Sequence, residues 1–395
     1  MQYRNIVKLV DNTLLRLLNK SHVNNLLGRY SCLLNINKNG CPDQKKVLVC
    51  YLTEPYYLDS VTLESHPKFY QMTQLVHFFC KQGYSIDICN YVNDSGINKI
   101  NKYYDVIIGQ GIAYKRAIEI IKHDIGILFL TENNPETVNV KYQERIDYFI
   151  SRHASISPKI SVKRIGIFDR SMIESSDAII ATTNRYNSQT LFNFCKNVFP
   201  INVNTLSNPN FVFSKKRIIK NRKSFLWFGS VGLIHKGLDI LLDVFKKLPD
   251  YTLNVYGVPK SELSLFNKLK APNTILHESV NVKSDRFLSE VVENNTFIIS
   301  NSCSEGTQTG VATCMMCGMI PIISRETGYD EHDSIIMMEE YSVEYIINTI
   351  KKAVSLCDEQ LIAMSKSTLE YSTNKFNNNS FKNDLFGALH SILNE

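Results

Sequence analysis

The feature that most constrains this chain is a repeated alternation of short, continuously apolar runs with amphipathic helical stretches, in two successive series. In the first, residues 47–51, 84–89, 105–109, 125–130 and 178–182 read as strands, and 69–80 reads as a helix stopped by Gly83. Strands apolar on both faces are covered on both sides, and their alternation with helices gives right-handed βαβ units in a parallel, doubly wound sheet. Ser207-Asn208-Pro209-Asn210 and the basic stretch 215–223 interrupt the pattern. The second series has strands at 225–228, 252–256, 274–276, 297–300 and 320–323, with helices at 238–248, 285–292 and 311–317. A helix at 381–393 closes the chain. At 395 residues the chain exceeds one ordinary core. The expected organisation is an N-terminal basic amphipathic extension 1–44, a Rossmann-like domain 45–207, a second Rossmann-like domain 208–375, and a terminal helix 376–395 packing back toward the first domain.

Composition removes several function classes. Hydrophobic residues at 44% and charged residues at 21% describe an ordinary globular protein, and no apolar run approaches the ~18 residues that span a bilayer. The opening MQYRNIVKLVDN lacks a signal-peptide pattern, so a cytoplasmic location is expected. The first 46 residues hold eight Lys/Arg against two Asp, an excess equal to the whole net charge of +6. The basic bias is local, and no basic stripe interleaved with aromatics points to nucleic acid. In 6–27, Ile6, Val7, Val10, Leu14, Leu17 and Leu18 share one helical arc. Such a helix either rests on an anionic membrane surface, making the protein peripheral at the inner face through residues 1–30, or packs on the protein body. Ten scattered cysteines, with Cys314 and Cys317 as a lone C-x-x-C, read as reduced core residues rather than a disulfide or metal framework. Asp330-Glu331-His332-Asp333 reads as a solvated loop, the chain has no Asp-x-Asp dyad, and no metal is expected.

Two stretches carry chemistry. Trp227 to Asp239 runs from a strand through Gly229, Ser230 and Gly232 to His235-Lys236-Gly237 and a helix. Gly229 and Gly232 let the backbone approach a bulky anion, Lys236 supplies a point charge, and the helix points its positive end at the same place. The second stretch, 302–313, lies between a strand and an apolar helix. Gly306 and Gly310 flank Thr307, Gln308 and Thr309 at that helix's N-terminus, an anion cradle of N–H groups. Glu305, just before it, is placed to accept hydrogen bonds from sugar hydroxyls. The plainer readings, a solvated lysine and a capped tight turn, lose ground because two anion sites occur in one domain.

HKGLD at 235–239 followed by CSEGTQTGVATCMMCGMIPIIS at 303–324 resembles the donor half of group-1 (family 4) glycosyltransferases. The likeness covers 220–330 well, and 45–205 by strand order alone. It implies an α/β, GT-B fold, two doubly wound domains facing across a cleft, with a nucleotide-sugar donor and no obligatory metal. It also implies retention of anomeric configuration. The family's diphosphate-binding lysine falls on Lys236, its glycine loop on Gly229 to Gly232, its sugar-holding acid on Glu305, and its phosphate-facing amides on Gly306, Thr307 and Gln308. The base and ribose pocket falls on Tyr256, Gly257 and the loop from His277 to Val280. Three departures stand out. Thr313 replaces a second glutamate, Val231, Gly232 and Leu233 stand where an arginine is usual, and His153 is the nearest candidate for the family's N-domain histidine. The expected activity is glycosyl transfer to a glycan, lipid or other hydroxyl acceptor in surface polysaccharide or glycoconjugate synthesis. A non-catalytic nucleotide-sugar-binding partner subunit and a GT-B sugar epimerase remain open alternatives.

Overall fold

The computed structural model describes residues 32–394 except 57–65, 95, 98–99, 101 and 159–169. The apolar arc of 6–27 lies outside the described residues.

The first sheet contains β1 (Cys32–Ile36), β2 (Lys46–Tyr51), β3 (Ser85–Asn90), β4 (Tyr103–Gly109), β5 (Lys122–Leu130), β6 (Ala178–Thr182) and β7 (Val198–Ile201), in the order β1-β3-β2-β4-β5-β6-β7. All neighbours are parallel except β1, which runs antiparallel to β3. β1 lies inside the stretch 1–44 that the sequence assigned to an N-terminal extension. Its residues are half-buried or exposed, so the apolar signal that marks the central strands is missing. The second sheet contains β8 (Ser224–Phe228), β9 (Thr252–Tyr256), β10 (Thr274–His277), β11 (Phe297–Ser300), β12 (Ile320–Ser324) and β13 (Ile336–Met338), all parallel, in the order β10-β9-β8-β11-β12-β13. Strand order therefore reverses between β8 and β11, the position where open α/β sheets form a crevice beyond their carboxyl ends.

Six helices matter for the site. They are α1 (Pro67–Lys81), α2 (Pro135–Arg152), α3 (Leu238–Lys246), α4 (Thr309–Met315), α5 (Asp358–Lys375) and α6 (Asn378–Asn394). α1 starts two residues before the apolar pattern suggests, because Pro67 presets the first helical φ and His66 accepts a hydrogen bond from the Lys68 amide. α2 has a similar start, with Asn134 accepting from the Glu136 amide ahead of Pro135. The expected helix at 285–292 is instead a π-helical turn, Phe287–Val292, ending in a bond from the Glu293 amide to the Leu288 carbonyl five residues back.

Each sheet has its own core, and two helices cross between them. Phe381, Leu385, Ala388, Leu389 and Ile392 of α6 belong to the core of the first domain, with Val47, Phe79 and Phe129. Tyr142, Ile146 and Phe149 of α2, which precedes β6 in the chain, pack into the core of the second domain with Trp227, Leu238 and Leu242. The two domains are thus held by exchanged apolar faces as well as by their linkers. Among the described residues no helix is long and apolar enough to cross a membrane.

Candidate functional site

Lys236 and Glu305 meet. Lys236 follows β8 in a tight loop closed by its own amide bonding to the Gly232 carbonyl at 2.7 Å, and by the Gly237 amide bonding to the Ile234 carbonyl at 3.0 Å. Gly237 adopts φ +67°, and a Cβ there would lie 2.2 Å from the Asn301 carbonyl oxygen. Only glycine lets this loop lie against the loop after β11. The Cys303 amide and the Ser302 hydroxyl both donate to the His235 carbonyl, at 2.9 and 3.3 Å, stitching the two loops together. The Lys236 ammonium forms an ion pair with the Glu305 carboxylate, and Ser302 Oγ donates to the same oxygen at 2.9 Å. With exposures of 5% and 7%, these are two charges withdrawn from water together. His235 Nε2 stands 3.7 Å from Glu305, and the Tyr142 ring of α2 meets the imidazole edge-on. Behind it, Cys303 is a buried thiol pushed up to about 12 by desolvation.

The opposite wall comes from the carboxyl ends of the first sheet. A Cβ on Gly306 would lie 2.7 Å from the Thr182 carbonyl oxygen and 3.1 Å from that of Thr131. Asn187 Nδ2 donates to the Glu305 carbonyl at 3.0 Å, Thr183 Oγ1 to the Gly306 carbonyl at 3.3 Å, and Asn184 Nδ2 to the Tyr329 carbonyl at 2.8 Å. Sequence reasoning missed these residues, although Thr183-Asn184 directly after an apolar strand was the available signal. It also passed over α2, whose buried stripe carries a cation. Arg145 donates to Asn301 Oδ1 at 3.2 Å and lies over the Tyr341 ring at 4.2 Å, and burial lowers its pKa. Arg152 pairs with Asp239 and Asp243, so the aspartate of the HKGLD motif clamps the domains together.

Several of the expected site residues have partners within the chain. Gly232 does not present its amide to an outside anion: the Gly232 and Leu233 amides donate to the Glu262 carboxylate at 3.1 and 3.2 Å. The loop does bind an anion, and that anion is the chain's own. Gly229 serves packing. Its amide donates to the Tyr256 carbonyl at 3.1 Å, and its carbonyl lies 2.0 Å from where a Cβ on Gly257 would sit. Ser230 beside it is exposed. The Gln308 amide is taken by the Thr327 carbonyl at 3.1 Å, and its side chain accepts from Ser300 Oγ at 2.6 Å. Thr307 donates its hydroxyl to the Gly328 carbonyl at 3.1 Å. Thr313, in place of the second acid, shares a 2.5 Å hydroxyl contact with Thr205, after β7, and donates to the Thr309 carbonyl at 2.9 Å. His153 caps α2 and bonds to Asp243 at 2.8 Å, away from the strand ends where a substrate-facing histidine would stand.

At the ends of β9 and β10 the Tyr256 and His277 rings stack at 4.4 Å, nearly parallel at 2°, and His277 Nε2 bonds to Asn254 Oδ1 at 2.8 Å. Val280 packs half-buried on the cluster that contains Tyr256 and Phe287. On the facing strand ends, Asn90 donates to Thr53 at 3.0 Å and to the Glu54 carboxylate at 3.4 Å, and Thr131 donates to Gln110 at 3.0 Å, a polar rim. Cavities of about 570 and 770 Å³ open around the linker crossing, lined by residues such as His332, Tyr371 and Lys375, and Thr205, Ser207 and Asn378. None of the candidate donor residues lines them. Among the described residues no group of three His, Cys, Asp or Glu side chains could hold a metal ion.

No family model and no curated protein sequence matches the chain. Solved structures do resemble it. Sucrose-phosphate synthase from Thermosynechococcus elongatus superposes with a TM-score of 0.60 at 10% identity, over 89% of this chain and 99% of that one. HepE from Anabaena, solved with UDP and glucose, gives 0.52 at 10% identity over 88% and 100%. TarM gives 0.50 at 14% identity over 72% of this chain and 54% of that one, so the match spans about half of TarM. At these identities the likeness is one of fold. The chain has the GT-B architecture, two Rossmann-like domains facing across a cleft.

Proposed function

We propose that this chain transfers a glycosyl group from a nucleoside-diphosphate sugar to a hydroxyl acceptor, as the resemblance to group-1 (family 4) glycosyltransferases implies. The observation that carries the reading is the buried Lys236–Glu305 pair at the carboxyl ends of β8 and β11, where strand order reverses. As the sugar–phosphate bond lengthens, negative charge grows on the leaving diphosphate. The Lys236 ammonium, already dehydrated, is preorganised to stabilise it, as are the amides of Gly306 and Thr307 in the loop before α4. Glu305, released from Lys236 by the diphosphate, accepts from the sugar hydroxyls. Tyr256, Gly257, His277 and Val280 bound the base side, and the polar rim of Thr53, Asn90 and Gln110 receives the acceptor. Domain closure excludes the water that would hydrolyse the donor. No metal enters the scheme, and the anomeric configuration is retained.

A thermal-shift screen against UDP-, GDP-, ADP- and CDP-sugars tests the donor. At a ligand concentration of one hundred times Kd the native state gains about 2.7 kcal/mol. No shift with any donor overturns the reading. Transfer surviving EDTA, with the product's anomeric coupling constant matching the donor's, tests the metal-free and retaining parts. A second reading, a non-catalytic nucleotide-sugar-binding subunit, is favoured by Thr313 being tied to Thr205 and by Glu262 occupying the loop amides. A donor-induced shift with neither transfer nor hydrolysis across a hydroxyl-acceptor panel would select it.

A further inference from the structure

Three cysteines stand in one row across the first sheet. Register places Cys32 of β1 opposite Cys89 of β3, and Cys89 beside Cys50 of β2. All three pack in the same apolar cluster. The Cys32 and Cys89 sulfurs are in direct contact at 2.7 Å. Residues directly opposite on antiparallel strands have Cα atoms about 4.5–5.5 Å apart, inside the roughly 4.4–6.8 Å that a disulfide spans, so the register already meets its backbone requirement. Cys89 is fully buried, while Cys32 is half-buried on the edge strand. The hydrogen bond to the Cys32 sulfur and burial together hold the Cys89 thiol far above its ordinary value. Either thiol can donate in this contact, and Cys32, half-buried on the edge strand, is the more accessible sulfur.

We propose that Cys32 and Cys89 form a redox modification site that a low-molecular-weight disulfide converts into a cross-strand bond. The Cys32 thiolate attacks the disulfide, forming a mixed disulfide and expelling one thiolate, which takes up a proton. Cys89 then attacks the Cys32 sulfur as its own proton leaves with the second thiol. Two protein thiols and one disulfide thus become one protein disulfide and two small thiols. The bond joins β1 to β3 across 57 positions of sequence. Cys50, next in the row and fully buried, serves as the internal comparison. The site shares no residue with the glycosyl-transfer reading and stands or falls separately.

The full-length protein is incubated with oxidised glutathione, alkylated in denaturant, digested and analysed by mass spectrometry. Wild type and Cys50→Ser are expected to yield a Cys32–Cys89 cross-linked peptide two hydrogens lighter than the reduced pair. The wild-type thiol count in denaturant falls by two from ten, and dithiothreitol restores it. Cys89→Ser is expected to retain glutathione on Cys32, and Cys32→Ser to form no cross-link. Circular dichroism checks that the variants fold, and the wild-type result stands without them. Cys32 and Cys89 both alkylated after oxidation would overturn the proposal. So would a Cys50–Cys89 bond, or wild-type Cys32 remaining glutathionylated without closing.

Discussion

At the scale of residues, the Lys236–Glu305 pair joins function to stability. Truncating one member leaves the other charge buried and alone, at a cost of about 3–5 kcal/mol. Lys236→Ala and Glu305→Ala are therefore expected to abolish transfer and to lower the urea midpoint as well. The double variant Lys236→Met/Glu305→Gln buries no charge, and should recover most of the stability with none of the activity. Singles that unfold like wild type would contradict a buried pair. His277 makes a smaller, pH-dependent contribution. Burial lowers its pKa below the usual 6.5, while its stacking on Tyr256 and its bond to Asn254 hold the ring in place. A group with a depressed folded pKa binds fewer protons folded than unfolded. Its stability contribution is present above about pH 6.5 and is lost as pH falls from there through the folded value. The loss in melting temperature between about pH 8 and pH 5 should be smaller in His277→Gln than in wild type. Equal losses would remove His277 from the explanation.

At the scale of elements, two glycines set how the loops meet. Gly237 combines φ +67° with backbone only 2.2 Å from a would-be Cβ, so alanine is strained twice. Gly237→Ala is expected to cost about 1–3 kcal/mol and to push Lys236 off its partner. The donor-induced thermal shift should shrink by more than the loss of stability alone explains, and an unchanged shift would count against the loop's role. Gly306 is different: its conformation is ordinary, and what a methyl group would meet is the backbone of the other domain at Thr182 and Thr131. Gly306→Ala should wedge the domains apart while leaving each core intact. Small-angle scattering would show a larger radius of gyration with unchanged circular dichroism. Equal radii would mean that the wall yields locally.

At the scale of the whole molecule, α6 returns from the end of the chain to complete the first domain, with Phe381, Leu385 and Leu389 fully buried there. Leu385→Ala is expected to cost about 2–5 kcal/mol, and hydrogen exchange should locate the loss in β6 and β7, which α6 packs against, rather than in β8 or β11. Protection lost only in the second sheet would reverse that assignment. Much of this architecture is legible in the sequence, because a strand covered on both faces must be apolar throughout and a βαβ unit leaves a regular alternation. Strands β2 to β6, the second sheet up to β12, and the order of the Lys236 and Glu305 loops follow from local pattern alone. What the sequence cannot show is which polar groups satisfy one another. Glu262 takes the Gly232 amide, Thr205 takes Thr313, and Asp239 takes Arg152, each through partners distant in sequence. β1 and α2 escape for a related reason, since a half-buried edge and a buried stripe interrupted by Arg145 carry no clean periodic signal. The strands and the chemistry-bearing loops were written locally, in hydrophobic period and glycine placement. The pairing of buried charges and the closing of one domain against the other were decided only in three dimensions, because desolvated polar groups must find partners wherever the fold brings them.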